Sequence, residues 1–98
     1  PVCIVEALAM GVPVVTLDER GNSDVVKDNY NGYLIKSISK EKDINEIVEK
    51  IEFLSLQTET LKRFSLNCLA DRQIYSRSFF VQEQLKLVDD FKKANAIK

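Results

Sequence analysis

The sequence predicts an α/β layered domain, and three observations carry that reading. An apolar opening segment is punctuated as a helix by Pro1, Gly11 and Pro13. Two short aliphatic runs bounded by turn residues, Val12 to Leu17 and Tyr33 to Ile35, have the form of buried parallel strands. Three later stripes of apolar residues recur at helical spacing. At 98 residues, 45% apolar and 30% charged, the chain suits one small domain and excludes two.

Residues 2 to 10 mix strand formers (Val2, Ile4, Val5) with helix formers (Glu6, Ala7, Leu8, Ala9, Met10), so propensity alone leaves both open. Punctuation decides for a helix. Proline suits its first turn, Gly11 the left-handed position after its end, and Pro13 the stop beyond. Apolar on every side except at Glu6, it is expected to be buried all round. Val12 to Leu17 follows as a strand whose start Pro13 restricts. Ser23 to Lys27 is expected to form one helical turn capped by Asn22 or Ser23, before the turn-rich run from Asp28 to Gly32 and the second strand.

The remainder reads as three helices with core-facing stripes. Ile44, Ile47, Val48, Ile51 and Leu54 form the first, with a cap region at Ser39. Leu61, Phe64, Cys68 and Leu69 form the second, with Thr58 as its expected cap. Val81, Leu85, Val88 and Phe91, beside Phe80, Leu87 and Ala94, form a third and wider one from about 78 to 95.

Charge and composition exclude several function classes. The net charge is -1 with both signs dispersed, which provides no basic footprint for nucleic acid. No apolar run approaches the roughly 18 residues of a membrane span, and no secretory signal is recognisable, so the expected location is cytoplasmic. There is no histidine, and Cys3 and Cys68 are far apart in sequence, so neither a zinc site nor a histidine-based triad is expected; both cysteines are expected as free buried thiols. Residues 1 to 35 hold two cations (Arg20, Lys27) against five anions (Glu6, Asp18, Glu19, Asp24, Asp28).

Glu6 is the most informative ionisable residue. A lone carboxylate on an apolar helix is costly to bury without donors, so it lies at an exposed edge or holds a ligand. The start of the same helix leaves unpaired N–H groups at its positive end. With Pro1 lacking one, Val2 and Cys3 present theirs, an arrangement suited to phosphate. An anion there and hydroxyls beside Glu6, one turn further on, fit a single nucleotide.

The run from Pro1 to Val15, with Glu-Ala-Leu-Ala-Met-Gly-Val-Pro-Val-Val at its centre, then Gly21-Asn22-Ser23-Asp24-Val25-Val26 and Asn31-Gly32-Tyr33-Leu34-Ile35, resembles the retaining, group 1 glycosyltransferases of GT-B fold. The likeness is close over the first 35 residues and only a pattern beyond. It implies that residues 1–98 are part of a C-terminal, Rossmann-like donor-binding domain, with two short parallel strands, a buried first helix and three later helices. The opening on Pro1 agrees with a fragment. Two glutamates seven residues apart flank this helix in the family. Glu6 matches the second, which implies contact with the donor ribose, while the first would fall three residues before Pro1. The family's phosphate contacts map onto the amides of Val2 and Cys3. Its diphosphate-neutralising cations and its acceptor domain lie upstream.

The resemblance therefore implies glycosyl transfer from a nucleotide-diphosphate sugar to a glycan or lipid-linked acceptor, with no cofactor, in polysaccharide biosynthesis. It leaves open peripheral membrane association of the intact enzyme, and implies that the 98-residue chain alone is inactive. A nucleotide-sugar epimerase or phosphorylase of the same fold, or a non-catalytic interaction module, are the competing readings. Asp18-Glu19 is read as a solvated turn rather than a metal pair. Gly21-Asn22-Ser23 departs from the family, which has a second glycine and a glutamate where this chain has Asn22 and Asp24. Arg72 and Arg77 are read as surface residues between helices, and the broad final stripe as a surface through which the isolated chain self-associates.

Overall fold

The computed structural model describes residues 2–75 and 80–96, with side-chain surroundings for 2–75 and 86–94. The elements run α1 (Val2–Ala9), β1 (Val14–Leu17), a short 3-10 helix (Asn22–Asp24), β2 (Gly32–Ile35), α2 (Lys40–Leu56), α3 (Thr58–Ala70) and α4 (Phe80–Ala96). β1 and β2 pair in parallel, with Val14 opposite Gly32 and Leu17 opposite Ile35. The α/β class and the order of elements thus follow the sequence.

Alternation along the strands sorts the core into two halves. Val14 and Leu34 face a cluster built on Val5 and Leu8 of α1, Val26, Cys68 and Tyr75. Val15 and Tyr33 face the opposite side, against Leu54 of α2 and Phe64 of α3. There the Tyr33 ring meets Phe64 edge-on at 5.2 Å and Phe53 at 6.4 Å, with the Lys50 ammonium 4.6 Å from the Tyr33 centroid. α3 serves both halves, since Phe64 and Cys68, one turn apart, are both fully buried.

Two glycines are dictated by geometry. Gly11 closes α1 at φ 80°, where a Cβ would also press on Leu69, and its carbonyl accepts a 2.7 Å hydrogen bond from Ser65 of α3. Gly32 sits so close to β1 that a Cβ would lie 1.8 Å from the Val14 carbonyl oxygen. The outer edge of β2 is folded over by its own loop: Leu34 N–H donates to Asp28 Oδ1 at 2.9 Å and Asn29 N–H to the Gly32 carbonyl at 2.9 Å. α2 starts where expected, with Ser39 accepting from Lys42 N–H, and a buried Asp43 accepts from Ser37 Oγ at 2.6 Å and Ile38 N–H at 2.8 Å.

Several expectations need correction. α1 is not buried all round: it buries Val5 and Leu8 and exposes Val2, Cys3 and Glu6, because the sheet meets it on one side only. Cys3 is consequently an exposed thiol, and Cys68 alone is buried. β1 begins at Val14, since Pro13 cannot donate to a ladder. The 3-10 turn is capped by neither Asn22 nor Ser23; Gly21 precedes it without a side-chain cap, and Gln57 rather than Thr58 precedes α3.

The α2 stripe is only partly core. Leu54 is buried, whereas Ile44, Val48 and Ile51 are 46–54% exposed. Leu61 and Leu69 are likewise partly exposed. α4 spans the expected region, and Leu87, Val88 and Phe91 on it are exposed. Arg77, Phe79 and the side chains of Phe80, Val81 and Leu85 lie outside the described residues. The radius of gyration, 16.7 Å, exceeds the roughly 13 Å of a compact domain this size, in keeping with so much uncovered apolar surface.

Candidate functional site

Eight residues of α1 rise about 12 Å, and the four residues of β1 return about 13 Å after the reversal at Gly11 to Pro13. β1 and β2 exit together at Leu17 and Ile35, the carboxyl end of the parallel pair. Open parallel sheets bind their ligands at this end.

Val2 and Cys3 occupy the first turn of α1, which carries no acidic side chain to occupy its N–H groups. Glu6 stands one turn further along, exposed, and its carboxylate has no hydrogen bond or ion pair among the described residues. All three predicted site residues are thus on one short helix and exposed. The carboxylate supplies acceptors for hydroxyl groups, and the first-turn amides supply donors for an anion.

The loop leaving β1 lies at the carboxyl end of the strands. Asp18, Glu19 and Arg20 are exposed, and Arg20 and Gly21 take consecutive left-handed conformations at φ 52° and 77°. Asn22 pins the loop: its Nδ2 donates to Thr16 Oγ1 at 3.1 Å and to the Leu17 carbonyl at 2.9 Å, while its buried Oδ1 has no partner. The side chain that departs from the family pattern is therefore a clasp on the strand end. Among the described residues no cluster of histidine, cysteine, aspartate and glutamate is arranged to hold a metal ion, and no helix is long and apolar enough to cross a membrane.

A second asparagine organises the next loop. Asn31 is fully buried; its Oδ1 accepts from Lys27 N–H at 2.8 Å, and its Nδ2 donates to the Val25 carbonyl at 2.9 Å and to Tyr75 Oη at 3.1 Å. Its carbonyl accepts from Val14 N–H at 3.3 Å and from the Cys68 thiol at 3.7 Å. Burial pushes the Cys68 thiol and the Tyr75 hydroxyl above their ordinary pKa, so both stay protonated as donors. Next door, Asp71 accepts from Tyr30 Oη at 3.0 Å, and that hydrogen bond raises the Tyr30 pKa. Reading the residues in order marks Asn31 only as a turn former, because its partner Tyr75 is distant in sequence.

This site end is distinct from the apolar groove on the α2 side. That groove, about 370 Å³, is lined by Pro13, Val15, Ile51, Leu54, Ser55 and Leu61. Val15 points to the opposite face of the sheet from Val14, which packs toward α1.

Residues 1–68 match the family model of glycosyl transferases group 1. The chain belongs to the group 1 glycosyl transferases. The matched segment runs from α1 to Cys68 in α3, and so includes both strands and every predicted site residue. The chain is also similar to spore coat protein SA of Bacillus subtilis (strain 168), 32% identical over 60 residues. That stretch is 61% of this chain and 16% of the relative, so the chain spans a small share of the length of the curated relative it matches. Two parallel strands flanked by helices are consistent with a Rossmann-like glycosyltransferase domain.

Proposed function

We propose that this chain forms part of the donor site of a nucleotide-sugar-dependent glycosyltransferase. The supporting observation is Glu6: an exposed, unpartnered carboxylate one turn from free helix-start amides, within the segment that matches the family. Val2 and Cys3 N–H groups receive the diphosphate of the donor, and Glu6 accepts from the ribose hydroxyls. Glu6 binds and orients; it is not a general base.

The intact enzyme transfers a hexosyl group to a glycan or lipid-linked acceptor with retention of anomeric configuration. As the glycosidic bond to the diphosphate breaks, negative charge grows on the departing nucleotide, and the fixed helix-start amides stabilise it without reorganising. Diphosphate-neutralising cations, the sugar-contacting glutamate and the acceptor site are supplied by upstream polypeptide, so the 98 residues alone are inactive.

Calorimetric titration of the full-length protein with nucleoside diphosphates tests the assignment. Hydrogen bonds to a charged group contribute about 1.5 to 3 kcal/mol, so Glu6→Ala weakens binding roughly 10- to 100-fold. Unchanged affinity in the variant would remove Glu6 from the site.

A further inference from the structure

We draw no further inference here: the strongest candidate, the apolar groove beside the outer edge of β1 lined by Pro13, Val15, Ile51, Leu54, Ser55 and Leu61, is an unpartnered face, and nothing in the structure shows what covers it.

Discussion

Replacing Asn31 by alanine removes three side-chain hydrogen bonds from the centre of the molecule: those with Lys27 N–H, the Val25 carbonyl and Tyr75 Oη. Each is worth about 1 kcal/mol net, and the fully buried site leaves a small cavity besides. The Val25 carbonyl keeps a long contact with Tyr75 Oη at 3.5 Å, which tempers the loss, whereas Lys27 N–H keeps no acceptor. The expected destabilisation is about 3 to 4 kcal/mol. Domains of this size have about 5 to 15 kcal/mol in all, so the change is large. Urea unfolding followed by far-UV circular dichroism measures it. Tyr75→Phe, which deletes one of the three partners, costs about 1 kcal/mol, and the double variant costs less than the two singles combined because they share that bond. A loss under about 1 kcal/mol for Asn31→Ala would refute the claim that this amide ties Lys27 and Val25 of the loop to Tyr75.

Other consequences are equally direct. Gly32→Ala places a methyl group against the Val14 carbonyl oxygen and should abolish the β1–β2 pairing, so that the variant loses cooperative unfolding; a variant as stable as the parent contradicts the register. Asp43 accepts from Ser37 Oγ and Ile38 N–H, which hold its carboxyl below the ordinary value in that order of importance. Its contribution is present above the unfolded-state pKa, near 3.9, and is lost as pH falls through the lower folded value. Asp43→Asn should therefore flatten the acid limb of the stability profile, and an unaltered limb excludes Asp43 as its source. Leu87, Val88 and Phe91 leave apolar surface open on α4, so the 98-residue chain should self-associate in sedimentation experiments and Phe91→Glu should reduce it; a stable monomer argues against an adhesive α4.

Local chemistry explains what was legible in advance. The Gly11 and Pro13 stops around α1, the Ser39 cap and the β-branched run of β1 act on neighbours in the chain, so the order of elements could be read without knowing the fold. That Val2, Cys3 and Glu6 share one helix was legible for the same reason, since its boundary is written beside them. The caps were less so: Thr58 resembles a helix start, yet Gln57 holds that position.

What could not be read depended on partners far along the chain. Whether Ile44 or Leu54 enters the core is decided by where the sheet lies beneath α2, and periodicity cannot supply that. Cys3 and Cys68 are the same residue type, and only packing makes one thiol exposed and the other buried. Asn22 and Asn31 both read as turn residues, but one clasps the end of β1 and the other joins loop, strand and Tyr75. The sequence by itself determined the helices, the strands and one candidate binding helix, because those depend on residues a few positions apart. The tertiary structure alone decided which faces are buried, why position 32 must be glycine and which side chains hold the loops, because those depend on groups brought together across tens of residues.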